Sequence, residues 1–219
     1  MSAFDGKGTL GLIRQLCEAY SPSARIKTVA VVGNAPLKPS MERATAIDEA
    51  DLVFRVNGFR LDRAGERSFG VRADVVVLQR GVRATPWTFA GYRERLYLLA
   101  EPGRMHWESA WMPPWWPSDL GLVPIPNGEV TLPAGREMGI DVEREAKWPT
   151  TGAITAWLAL NLFPDATLLL GGFSSIESRE QSEWRHASGR VVDVTPEHDL
   201  PREGALLLRW IAEGRVRAV

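Results

Sequence analysis

Strands that alternate with helices over 219 residues predict a single α/β domain with a mainly parallel sheet flanked by helices. Three observations carry that reading. Short β-branched runs recur without polar alternation, which is how strands covered on both faces look. Apolar positions at helical spacing fall between and around them. No repeat, low-complexity tract or linker divides the chain, so one domain is expected over 1–219, with an insert at about 102–148.

The elements follow in order. Residues 9–20 set Leu10, Ile13, Leu16, Cys17 and Tyr20 on one side of a helix. Thr28-Val-Ala-Val-Val-Gly33 is a β-branched run closed by glycine, a buried parallel strand. Leu52–Val56, Asp74–Leu78 and Leu96–Ala100 share its character, and Ala166-Thr-Leu-Leu-Leu-Gly-Gly172 is the clearest late strand. Thr151 to Phe163 carries small and apolar residues on most faces, so a largely buried helix is expected. From about His198 to Gly214, Leu200, Leu206, Leu207, Trp210 and Ile211 mark an amphipathic helix. The stretch 102–148 breaks the alternation. It is rich in Pro, Trp and Gly, and reads as an irregular excursion that serves as a loop or lid.

Composition removes several function classes. A net charge of −1 leaves no electrostatic footprint for nucleic acid and little attraction to membranes. Cys17 is the only cysteine, which excludes an intrachain disulfide and a zinc knuckle, and its place on an apolar helix face points to packing. No basic start precedes a long apolar run and no stretch reaches the length of a membrane span, so a cytoplasmic protein is expected.

Several motifs bear on chemistry. Gly6-Lys-Gly-Thr-Leu-Gly11 fits G-x-G-x-x-G but follows no strand, so it lacks the context of a dinucleotide fingerprint. There is no P-loop, and no D-x-D pair of the kind that holds a metal in many nucleotide-sugar transferases; no metal cofactor is expected. His106, His186 and His198 match no standard metal-site spacing. Gly33-Asn34 and Asn57 each close a predicted parallel strand, at the edge of the sheet where ligands bind. Gly33 allows close approach to backbone, and the amides suit ribose or phosphate, or else form Asx turns. Pro149-Thr-Thr-Gly152 opens the buried helix with free N–H groups and the positive end of a dipole, suited both to an anion and to ordinary capping. His198 stands at the start of the last helix, where a neutral imidazole able to act as a base is favoured. Glu203 lies about one turn in, placed to orient His198 or to meet free N–H groups.

In combination these residues resemble the sialyltransferase family with its ordered sialylmotifs L, S, III and VS. Val31-Val-Gly-Asn34 through Arg55-Val-Asn57 to Arg72-Ala-Asp74 is similar to motif L. Pro149-Thr-Thr-Gly152 with Leu170-Gly-Gly-Phe173 is similar to motif S, His186 stands at the motif III histidine, and His198-x-x-x-x-Glu203 resembles motif VS. A second, bacterial CMP-sialic-acid transferase family shares a glycine-asparagine strand end and R-x-N.

The resemblance implies a Rossmann-like domain of the modified GT-A type and a metal-independent, inverting glycosyltransferase. Its donor would be a CMP-activated acidic sugar, sialic acid or another ulosonic acid such as Kdo, and its acceptor a hydroxyl of a glycan or glycolipid. Asn34 and Asn57 would then bind the CMP part, Thr150, Thr151 and Gly152 the sugar carboxylate or phosphate, and Gly172 would border the cytidine. His186 would bond the departing phosphate, and His198 would deprotonate the acceptor. The chain departs from the family in lacking the cysteines that link motifs L and S, the anchor and stem, and the aromatic residue after the motif III histidine, where Ala187-Ser188 stands. These differences fit a short bacterial-type relative. Trp107, Trp111, Trp115 and Trp116 suit either a sugar-stacking wall or core. The alternatives from other classes are a catalytically silent CMP-sugar or nucleotide-binding module, and an unrelated α/β enzyme such as a small nucleotide hydrolase.

Overall fold

In a computed structural model that describes residues 8–81, 83–101 and 116–219, the chain begins with α1 (Gly8–Tyr20), which buries Gly11, Ile13 and Cys17. Burial holds the Cys17 thiol far above its ordinary range, so it packs as a small neutral apolar group. There follow β1 (Thr28–Val32), α2 (Met41–Asp48), β2 (Leu52–Val56), β3 (Val75–Leu78), β4 (Leu96–Leu99) and β5 (Val123–Pro124). After them come α3 (Leu132–Met138), α4 (Val142–Glu145), α5 (Thr151–Leu162), β6 (Thr167–Gly171) and α6 (Ser174–Glu177). The chain closes with β7 (Glu183–Arg185), β8 (Val191–Asp193), α7 (Leu200–Ala212) and β9 (Val216–Ala218).

Among the described residues, seven strands join in one sheet of order β5-β4-β3-β2-β1-β6-β9, and each of its pairings is parallel. This is a single α/β domain. The chain runs outward from β1 to β5, then returns to the other side of β1 as β6. That reversal makes the gap between the carboxyl ends of β1 and β6 a topological switch point, the place where an open parallel sheet forms a crevice.

Both faces are covered, which explains why the central strands are mainly apolar, with Arg55 of β2 the charged exception. On one face Val29, Val31, Leu52, Phe54, Val75 and Val77 pack with residues of α1, α5 and α7. α5 is buried along most of its length because it lies within this layer. On the other face Val76, Leu78, Tyr97 and Leu99 pack beneath Trp87, Phe89 and Trp116, while Ala30, Val32 and Val53 pack with Ile47 and Phe69.

The described part of the insert rejoins the fold. It adds β5 beside β4, and α3 packs among α5 and α7. Glu137 of α3 accepts hydrogen bonds from Trp157 Nε1 (2.9 Å) and Trp210 Nε1 (2.8 Å), tying three helices to one carboxylate. Trp116 is core: its ring meets Phe89 and Tyr97 edge-on. Trp107, Trp111 and Trp115 lie outside the described residues, as do Gly6 and His106. No described helix is long and apolar enough to cross a membrane.

Candidate functional site

The carboxyl ends of β1, β2, β3, β4 and β6 open onto one cavity of about 510 Å³. Gly33, Asn34, Asn57, Thr150, Thr151, Gly152, Gly172, His186, His198 and Glu203 all line it. Residues spread over the whole chain thus meet at the switch point.

The fold itself uses the bare backbone of Gly33 and Gly172. A Cβ on Gly33 would lie 2.3 Å from the Gly172 carbonyl oxygen, and one on Gly172 would lie 2.8 Å from that of Gly33. The Gly33 N–H donates to Gly171 O (2.8 Å) and the Ala35 N–H to Gly172 O (3.0 Å), so the ends of β1 and β6 lock together. Gly172 has φ +73°, a conformation that suits glycine.

Each asparagine holds the end of the neighbouring strand with half of its amide. Asn34 Nδ2 donates to Val56 O (3.0 Å), and Asn57 Oδ1 accepts from the Gln79 N–H (3.0 Å). The other halves, Asn34 Oδ1 and Asn57 Nδ2, have no partner among the described residues. Bridging and ligand binding are therefore compatible. Asn57 sits at φ 49°, in the left-handed region that Asn tolerates better than most residues. Arg55, two residues earlier, is fully buried and points into the fold, donating to Arg72 O (2.8 Å) and Phe69 O (2.7 Å).

Thr150 caps α5, its hydroxyl accepting from the Ala153 N–H (3.1 Å). The N–H groups of Thr151 and Gly152 keep no partner among the described residues, at the positive end of a twelve-residue helix. Gly152 is bare because a Cβ there would press on the Phe173 ring at 3.1 Å.

Glu203 is 2 % exposed and points away from its own helix start. Its carboxylate accepts from the Thr150 N–H, from Thr150 Oγ1 and from Ser175 Oγ, each at 3.1 Å. Burial raises the pKa of this carboxyl above the ordinary range, against those donors and the nearby His198.

His198 directly precedes Asp199, the N-cap of α7. Its Nδ1 lies 3.1 Å from Trp148 O, and the Trp148 N–H donates to Glu197 O (2.9 Å). A carbonyl only accepts, so Nδ1 carries the hydrogen and the lone pair of the neutral ring is on Nε2. Trp184 meets the imidazole edge-on, with centroids 6.3 Å apart.

His186 directly follows the first strand of an antiparallel hairpin, β7–β8. Its N–H donates to Arg190 O (2.8 Å), and its carbonyl accepts from Gly189 N–H (2.9 Å), with Gly189 left-handed at φ +87°. This is a three-residue turn with a bulge glycine. Burial, and then the Arg190 charge, hold the His186 pKa below its ordinary value. The Ala187 N–H donates to Asn34 O (2.8 Å), fastening the hairpin across the cavity from β1.

Sequence reasoning left out Trp148, Trp184, Arg190 and Glu197, which also line the cavity. Ser188-Gly189 was the available sign of the hairpin that carries two of them. Among the described residues, no group of three or more His, Cys, Asp or Glu side chains forms a metal donor set.

No protein-family model matches the chain, and no curated protein does. Solved structures do. A crystal structure of a mammalian sialyltransferase aligns with TM-score 0.59 at 15 % identity, over 97 % of this chain and 79 % of that one. A mammalian sialyltransferase in complex with Gal-β-1-3GalNAc-ortho-nitrophenol aligns with TM-score 0.57 at 14 % identity, over 99 % of this chain and 81 % of that one. At such identities the likeness is one of fold, and the fold is that of these transferases.

Proposed function

We propose that the chain is a metal-independent, inverting glycosyltransferase that moves a sialic acid or related ulosonic acid from CMP to an acceptor hydroxyl. The observation that carries this reading is His198. Its Nδ1–H is committed to a backbone carbonyl, so Nε2 is the basic nitrogen of a residue that lines the cavity at the switch point.

In the proposed step the acceptor O–H gives its proton to His198 Nε2 while its oxygen bonds to the anomeric carbon. The bond from that carbon to the phosphate oxygen breaks on the opposite side, and its electron pair leaves with CMP. Configuration inverts because a single displacement occurs. Glu203 stands behind this chemistry as a positioning residue, setting the start of α5 against the start of α7. The open amides of Thr151 and Gly152 are the donors proposed for the donor carboxylate or phosphate, and Asn34 Oδ1 and Asn57 Nδ2 the groups for the CMP part. Fixed dipoles aimed at developing charge support leaving-group departure without a metal.

The test is release of CMP from CMP-sialic acid and from CMP-Kdo, with and without a glycan acceptor and in the presence of a chelator, comparing wild type with His198→Ala. We expect wild-type turnover that survives the chelator, and a loss of about 10²- to 10⁴-fold in the variant, the range typical of a general base. Donor binding without any release would make the chain a silent binding module. Release unchanged in His198→Ala would remove the base from His198, and a strict need for a divalent ion would favour an unrelated nucleotide hydrolase.

A further inference from the structure

The half-buried face of the hairpin borders the cavity, joined at the rim by Arg185 and Asp193 of the other face. Side chains of directly opposed residues share a face, and successive residues alternate. Trp184 pairs with Val192, and His186 closes the turn against Arg190; all four line the cavity. Along the strands, Trp184 and Val192 are half-buried whereas Glu183, Arg185, Val191 and Asp193 are exposed. Arg190 is thus held beside His186 on the inner face.

Among the described residues its guanidinium has no hydrogen bond or ion pair, unlike Arg185, which also lines the cavity but pairs with Glu183 (3.2 Å), and Lys147, which pairs with Asp199 (3.0 Å). Arg83 also borders the cavity, but from beyond β3, on the far side of β2 from β1 and the hairpin's anchor at Asn34. Of the carboxylates on the lining, Glu101 pairs with Arg80, Asp193 lies on the exposed strand face and Glu203 serves Thr150, while Glu197 Oε2 is buried with no hydrogen-bond partner among the described residues.

A cation adds to the fixed dipoles that stabilise a phosphate departing without a metal, and a charge-assisted hydrogen bond is stronger than a neutral one. His186 is half-buried next to Arg190, and burial and then that charge hold its pKa below the ordinary value. We infer that Arg190 is the cationic ligand of the donor's phosphate, with His186 as its hydrogen-bonding companion. The inference rests on the CMP-donor reading. It assigns the charge in the site to a residue that the motif resemblance does not reach. The planar guanidinium suits two phosphate oxygens at once, which an ammonium does not.

Calorimetric titration of wild type, Arg190→Gln and Arg190→Lys with CMP and with cytidine separates the readings. Cytidine has the base and ribose but no phosphate. We expect Arg190→Gln to weaken CMP by about 10- to 100-fold and cytidine by less than about twofold, with Arg190→Lys in between for CMP. Equal losses for both ligands would show a merely structural hairpin residue and overturn the inference, as would CMP affinity unchanged in Arg190→Gln. Wild type that binds cytidine and CMP equally would also overturn it while leaving a nucleoside site in place. Wild type that binds neither would overturn the CMP reading and the inference with it.

Discussion

Glu203 of α7 and Thr150 at the start of α5 are joined by two hydrogen bonds of 3.1 Å, one from the Thr150 N–H and one from its hydroxyl. A buried carboxylate on one helix thereby caps another. Both helix starts border the cavity, so the pair sets the distance between the open amides of α5 and His198.

Removing that carboxylate leaves the Thr150 N–H and two hydroxyls without an acceptor. Glu203→Ala is expected to cost about 2–4 kcal/mol, read by urea unfolding. Glu203→Gln keeps one acceptor and should cost less, with a pH signature. Burial raises the Glu203 pKa in the folded state, so this carboxyl contributes most below the unfolded value and loses ground as pH rises through the folded one. The neutral amide has no such loss. Wild type should therefore fall back relative to Glu203→Gln as pH climbs from about 4 toward 7. A difference that is flat over that range would contradict the assignment.

Gly33 and Gly172 face each other at the seam of β1 and β6, where a Cβ on either would meet backbone. Backbone cannot step aside as a flexible side chain can. Gly33→Ala and Gly172→Ala are each expected to cost about 2–4 kcal/mol, the first by overlap and the second by overlap together with its left-handed φ. Gly65, left-handed but with nothing within 4 Å of its Cβ position, is the control for conformation alone. Gly65→Ala should lose only about 1–2 kcal/mol. Thermal midpoints of the three variants provide the ranking.

Asn57 allows its bridging and binding parts to be separated. Asn57→Gly keeps the left-handed backbone and loses the bond to the Gln79 N–H, whereas Asn57→Ala loses both. Asn57→Gly should stay within about 1 kcal/mol of wild type, with Asn57→Ala below it by a further 1 kcal/mol or so. If Asn57 Nδ2 binds CMP, both variants weaken CMP alike despite their different stabilities. CMP affinity that follows stability instead would make Asn57 a strand bridge alone.

The sheet was legible where strands are covered on both sides. β1, β3, β4 and β6 are almost wholly apolar, and β2 is interrupted only by the buried Arg55, because helices and loops lie above and below them. β5 and β9 escaped notice for a physical reason. Each is an edge strand, the first two residues long with Pro124 and the second carrying Arg217, so neither needs an apolar run. The hairpin was hidden likewise, since only Trp184 and Val192 of its strands turn inward. Within the site, local patterns marked the ends of strands and helices, which is why Asn34, Asn57, Thr151 and His198 stood out. The partners that define their chemistry, Trp148 for His198 and Thr150 for Glu203, lie about 50 residues away in sequence, where no spacing rule reaches.

β1 lies between β2, its successor, and β6, which comes from the far end of the chain. Neither half of the sequence holds a site alone. Asn34 and Asn57 come from one half, and the α5 start, the hairpin and His198 from the other. Closing β1 on β6 is a long-range event, costly in chain entropy. A ligand seated across that seam binds only the assembled protein, so its affinity is linked to global unfolding. Two fragments cut between β5 and α5 should each be inert, and recovery of binding on mixing would measure how far the β1–β6 pairing and the packing of α5 on the sheet reassemble the site.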